Sequence, residues 1–235
     1  MSSYHFQNHM IICGWNHRAQ VIIRELQSDP TSTQSEIILI ADVESKPIEV
    51  EQVSFIKGTV NDETLQRANL AQASTIIILG DDRLDEETRD ARVVLTTLTV
   101  ESINPGVYTI VELVKETYVQ YCQRAHADEI IVSSELASHV ISRAAINHGV
   151  SRLFSDMVST HIQGTQLNKL PVPRDLIGRP FLEALIQMKQ KHHCIILAIE
   201  QGVDGKLIAN PAADYSLEIY DSLMVISPPP NRIKL

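Results

Sequence analysis

The sequence predicts an α/β fold: a doubly wound parallel sheet, a helical crossover, and a small α+β C-terminal lobe. Three observations carry that prediction. Through the first part of the chain, short runs rich in Ile, Val and Leu alternate with helical patterns, as parallel strands buried on both faces require. The runs have little internal alternation, which separates them from half-exposed antiparallel strands. From about His161 the grammar changes to a stretch punctuated by Pro171, Pro173, Gly178 and Pro180, which marks a second, smaller unit.

The strands are expected at 10–13, 37–41, 53–56, 75–79, 107–111 and 129–132, with helices near 18–27, 62–69, 85–103 and 116–125 between them. Six strands joined by helical crossovers make a doubly wound, Rossmann-like sheet. Residues 134–148 then read as an amphipathic helix, with Ala137, Val140, Ile141, Ala144 and Ala145 on one stripe and Gly149 placed to end it. A short apolar helix follows at 153–158. After a completed sheet this helix pair has nothing left to cross over to, so it is expected to pack on a partner subunit. The remainder predicts a loop-rich stretch, one helix at 181–191 and strands at 194–199, 206–209 and 223–226. A turn at 202–205 joins two of those strands, and the prolines at 228–230 end regular structure. The expected organisation is therefore 1–133, 134–159 and 160–235.

The bulk numbers exclude several classes. A formal net charge of −9 and the lack of a Lys/Arg cluster argue against a nucleic-acid partner. Three cysteines, Cys13, Cys122 and Cys194, are widely spaced and odd in number, which fits reduced thiols in a cytoplasmic setting. No apolar run approaches the ~20 residues of a membrane span, so direct membrane insertion is not expected. No nucleophile elbow or phosphate loop is present, and no catalytic set can be named. His192-His193-Cys194 has metal-ligand residue types, but adjacent positions at a strand start point in opposite directions.

The informative stretch is His9-Met10-Ile11-Ile12-Cys13-Gly14-Trp15-Asn16-His17-Arg18-Ala19, followed by Ile37-Ile38-Leu39-Ile40-Ala41-Asp42. Strand, glycine turn, helix, strand and terminal acid is the opening order of a dinucleotide-binding unit. Gly14 holds the first glycine position. Asn16 stands in the second, where a bare backbone ordinarily approaches pyrophosphate, and Ala19 in the third. Asn is expected to tolerate the turn because it visits left-handed conformations readily. Asp42 lies further from Gly14 than the usual ~20 residues, which a lengthened polar loop at 28–35 explains. Gly14, Trp15, Asn16 and Asp42 are thus the candidate cofactor-binding residues.

A second group of acids gathers at the same edge. Asp81, Asp82 and Asp85 follow the fourth strand, and Glu112 is expected to end the fifth. Carboxylates on adjacent loops suit a hard cation such as calcium, which makes Asp81, Asp82 and Glu112 candidate metal ligands. The same residues also suit a helix start, where acids cap free amides, with Arg83 and Arg89 neutralising their neighbours. Both readings stand at this point.

Gly14-Trp15 after an apolar strand, Ile40-Ala41-Asp42, Gly58-Thr59 ahead of 65–68, and Val111-Glu112 ahead of Ala125-His126-Ala127-Asp128 together resemble the RCK family, also called KTN or Trk-type domains. Leu170-Pro171-Val172-Pro173, Ile177-Gly178-Arg179-Pro180-Phe181, Asn210-Pro211 and Tyr220-Asp221-Ser222-Leu223 extend the resemblance to the second unit. The Cys13-Gly14-Trp15 turn is most similar to RCK domains attached to prokaryotic potassium channels, calcium-gated ones among them. The resemblance implies a non-enzymatic cytosolic sensor that gates potassium flux. It implies a helical crossover exchanged in a dimer, four such dimers forming an eight-domain gating ring, and calcium or an adenine nucleotide (NAD, ADP or ATP) as ligand. The partner is a channel pore or, alternatively, a Trk-like transporter subunit. A nicotinamide-dependent oxidoreductase is a third, remote reading. Nucleotide-binding members use positions that fall on Gly14, Asn16 and Asp42. In the calcium-gated type the first strand-five Glu falls on Glu112, but its partner falls on Val114, and the strand-four Asp falls on Leu79 or Gly80, just ahead of Asp81 and Asp82.

Overall fold

The six apolar runs form one all-parallel sheet in the order 3-2-1-4-5-6. The protein is described by a computed structural model at residues 4–29, 32–159, 165–202 and 205–228. It divides into two compact units, Met1–Ile146 and Asn147–Leu235, with the boundary inside the segment expected as the crossover.

The first unit runs β1 (Met10–Cys13), α1 (His17–Ser28), β2 (Ile37–Ala41), β3 (Val53–Lys57), α2 (Asp62–Arg67), β4 (Thr75–Ile78), α3 (Glu86–Ile103), β5 (Tyr108–Leu113), α4 (Val119–Arg124), β6 (Glu129–Val132) and α5 (Ser133–Ile146). Because successive strand side chains point to opposite faces, each strand feeds two cores. Ile11, Cys13, Ile38 and Ile40 join Leu65 of α2 and Val93 and Val100 of α3. Ile12, Ile37 and Leu39 join Ala19 and Ile23 of α1 on the other face. Each fully buried Ile or Leu contributes roughly 1.5–3 kcal/mol, so the central strands dominate the unit's stability. β6 is a half-exposed edge strand, which explains why its neighbour α5 meets so little of the sheet.

The predicted helices hold with local adjustments. Asn61 and Thr64 form a reciprocal capping box at the start of α2. Asp85 Oδ1 accepts from the Thr88 amide and caps α3. The helix expected at 116–125 is a 3-10 turn at Glu116–Tyr118 leading into α4.

His9, just before β1, is buried, and its Nε2 donates to the Ala68 carbonyl at 2.8 Å. Burial holds its pKa below the usual value, and the hydrogen bond to the Ala68 carbonyl offsets this only in part. A depressed folded pKa means the unfolded chain takes up the proton first. The stability advantage of wild type over His9→Gln is therefore expected to be full above pH ~6.5. It narrows as the pH falls from there through the folded pKa. Paired thermal melts between pH 5 and 8 check this; a gap that widens on acidification would contradict it.

The second unit comprises α6 (Val150–Val158), β7 (Gln166–Pro171), α7 (Phe181–His192), β8 (Ile195–Gln201), β9 (Lys206–Ala209) and β10 (Ser222–Ser227). The four strands form an antiparallel sheet in the order β7-β10-β8-β9. α7 packs on one face through Phe181, Ala184 and Met188 against Ile196, Ile199, Leu223 and Val225. β7 corrects the expected loop-rich stretch: it is an edge strand whose inward positions start with Gln166 and Asn168, so no apolar alternation announced it. Pro171 closes it, as an edge strand permits. Gly202 and Gly205 flank the expected turn with positive φ. Its residues 203–204 lie outside the described residues, as do two of the three terminal prolines.

Candidate functional site

The carboxyl ends of β1, β2 and β4 open onto a cleft of about 510 Å³. It lies at the switch point between β1 and β4, where α1 and α3 leave on opposite faces, the place where open α/β sheets bind ligands. The structure brings Gly14, Trp15, Asp42, Asp81 and Asp82 together in its lining, with Gly58, Arg83, Arg89, Arg92 and Leu95.

Gly14 makes the turn at φ +97°, and a Cβ built there would stand 3.0 Å from the Leu79 carbonyl oxygen. Only glycine meets both demands without strain. Trp15 packs against the α1-side core. Asn16 departs from expectation: its φ is −156°, ordinary extended backbone rather than left-handed. Its role is in the side chain. Oδ1 accepts from the Ala19 amide at 3.0 Å, and Nδ2 donates to the Gly80 carbonyl at 3.1 Å. One amide of the α1 N-terminus, a natural phosphate anchor, is thereby already satisfied from within the chain. Asp42 stands just past β2, exposed, 4.0 Å from the Arg83 guanidinium.

The acids do not form a shared cation cage. Asp81 receives a forked pair from Arg83, Nε at 2.9 Å and Nη2 at 2.8 Å. That bond holds the Asp81 carboxyl below its usual pKa. Glu112 does not end its strand as expected: β5 continues to Leu113, and Glu112 is buried at 6% exposure. Arg18 Nε lies 2.7 and 2.9 Å from its two carboxylate oxygens, and Arg89 Nη2 lies 3.1 Å from Oε2. The same two arginines reach Asp82 Oδ1, Arg18 at 2.5 Å and Arg89 at 3.3 Å. Arg18, Asp82, Arg89 and Glu112 thus close a ring of alternating charge that ties α1, the loop after β4, α3 and β5. Of the two sequence readings of the acids, neutralisation by arginine is the arrangement present. Among the described residues, no three His, Cys, Asp or Glu side chains are grouped as a metal ion would require.

Sequence reasoning missed what makes the ring fit. A Cβ on Gly80 would stand 1.9 Å from Arg89 Nε, so Gly80 clears the path of that side chain. Asp90, fully buried, accepts from the Val114 and Lys115 amides at 2.8–3.1 Å and fixes the loop after β5. The available signal was Arg89 and Arg92, one turn apart on a helix that starts at the ligand edge.

The α5 stripe is open. No residue of α5 is buried; Ile141 is 68% and Leu136 48% exposed. The helix is nonetheless anchored at its start, where the Ser133 and Ser134 hydroxyls donate to the Leu113 and Val114 carbonyls.

With this geometry in view, comparison with known proteins is specific. Residues 5–111 match the family model described as the calcium-activated potassium channel slowpoke-like RCK domain. YugO of Bacillus subtilis, which is named as a potassium channel protein, is 30% identical over 221 residues, covering 92% of this chain and 65% of that protein. The calcium-gated potassium channel TvoK of Thermoplasma volcanium is 28% identical over 149 residues, 62% of this chain and 42% of that one. The human SLO3 gating ring superposes with a TM-score of 0.73 at 18% identity, over 95% of this chain and 45% of that one, a likeness of fold. The chain spans less than two thirds of each of these proteins. Its first unit carries the β1 turn and the cleft, and over residues 5–111 it is similar to the slowpoke-like RCK domain.

Proposed function

We propose that the chain is the ligand-sensing regulatory part of a potassium channel, working on the cytoplasmic side as a dimer and, in fours, as a gating ring. The family match and the channel relatives support this, and the exposed α5 stripe supplies a face for a second copy. Among the described residues no helix is long and apolar enough to cross a membrane, so the reading places the pore elsewhere.

The observation that carries the choice of ligand is the charge ring. Asp82 and Glu112 already share two guanidiniums, and Asp81 has its own, so a bare calcium ion would have to displace arginines to reach any of them. An adenine nucleotide makes better use of the cleft. Asp42 stands where ribose hydroxyls are received, Gly14 lets the backbone approach, and Val43, Val60 and Leu95 give an apolar wall. Arg92, also in the lining, supplies positive charge for phosphate. Such a ligand biases the channel only to the extent that it binds one arrangement of the paired units more tightly than the other.

The test is potassium flux through a pore carrying this chain as its cytosolic domain, reconstituted in vesicles. Flux that changes with ADP or ATP is expected. Flux indifferent to nucleotide and to calcium alike would overturn the proposal.

A further inference from the structure

The two acids of the charge ring are not equivalent. Glu112 sits within β5 with its side chain 8% exposed, whereas the Asp82 side chain is 43% exposed, lies on the stretch between β4 and α3, and lines the cleft. Moving Glu112 away would strand charge in the interior, which is costly. Moving Asp82 away returns its carboxylate to water. With both acids in place the ring is neutral and attracts no anion. Without Asp82, Arg18 and Arg89 face one remaining acid and carry one net positive charge.

From this asymmetry we infer that Asp82 is a tethered competitor for the ligand's phosphate. Its carboxylate holds the anion position between Arg18 and Arg89, and a phosphate entering the cleft exchanges with it. Guanidinium pairs suit phosphate oxygens, which accept several charge-assisted hydrogen bonds. Glu112 keeps both arginines in place during the exchange. The stretch released with Asp82 leads directly to Asp85, which caps α3, so occupancy of the cleft is passed to the start of that helix. The inference rests on the nucleotide reading of the cleft, but its probe need not be a nucleotide.

Calorimetric titration with inorganic pyrophosphate and with ADP tests it on wild type, Asp82→Asn and Asp82→Asn/Arg18→Met. Asp82→Asn is expected to bind pyrophosphate at least ~10-fold more tightly than wild type, the scale of one charge-assisted hydrogen bond. The added Arg18→Met should cancel the gain. Asp82 is exposed, and an unchanged melting curve verifies that the variant folds. Pyrophosphate affinity that is unchanged or weaker in Asp82→Asn overturns the inference, even where ADP binds wild type and the nucleotide reading survives. A gain for pyrophosphate with ADP silent in every variant supports the exchange and overturns the nucleotide reading instead.

Discussion

Glu112→Ala is expected to destabilise the first unit by about 3–5 kcal/mol, the cost of breaking a buried ion pair by removing one partner. The residue holds two guanidiniums, one of them at 10% side-chain exposure, and no other carboxylate replaces it from the interior side. Asp81→Ala makes the contrast. Its partner Arg83 is 67% exposed, and exposed pairs contribute about 0–1 kcal/mol. Trp15 is the sole tryptophan and lies in the first unit, so urea unfolding followed by its fluorescence reads that unit alone. A Glu112→Ala loss below about 1 kcal/mol, no larger than an exposed pair's, would show that the ring is not a structural tie.

Ile141→Asp on α5 is expected to weaken self-association by ~100-fold or more, as loss of an apolar anchor at the centre of an interface does. The physical reason is that no residue of α5 is fully buried and Ile141 is 68% exposed, so that side chain is free to stabilise contact between copies. For the same reason the variant should fold normally, with unchanged far-UV circular dichroism. Sedimentation equilibrium distinguishes the outcomes: a dimer in wild type turning to monomer in the variant is expected. A wild type that stays monomeric at high micromolar concentration would remove α5 as the dimer face.

The parallel sheet was legible because its signal is strong and local. Strands such as Ile37–Ala41, buried at every position, read as unbroken apolar runs, and the glycine turn and Asp42 mark the first two of them. β7 was not legible because an edge strand with Gln166 and Asn168 facing inward carries no alternation. Gly14 and Asp42 line the cleft, and their positions in the sequence alone placed them at that edge. Asn16 needs no left-handed backbone, since backbone tolerance and side-chain capping leave the same letter in a sequence. The charge ring was half visible. Acids and arginines interleave between Asp81 and Asp90, yet which of them pair depends on Arg18 and Glu112, brought in from α1 and β5 by the fold. Gly80 was invisible for a similar reason: its demand comes from a side chain nine positions away that folds back across it.

The central claim is that the cleft at the β1–β4 switch point receives an adenine nucleotide rather than bare calcium. Calorimetric titration of the chain with ADP and, separately, with calcium, in wild type and Asp42→Ala, tests it most directly. ADP is expected to bind wild type with one site per chain and to lose at least ~10-fold in affinity in Asp42→Ala, the loss of a ribose-directed hydrogen bond to a charged group, while calcium alone gives no saturable heat. Saturable calcium binding with ADP silent would contradict the account and return the acids of the cleft to the role of metal ligands.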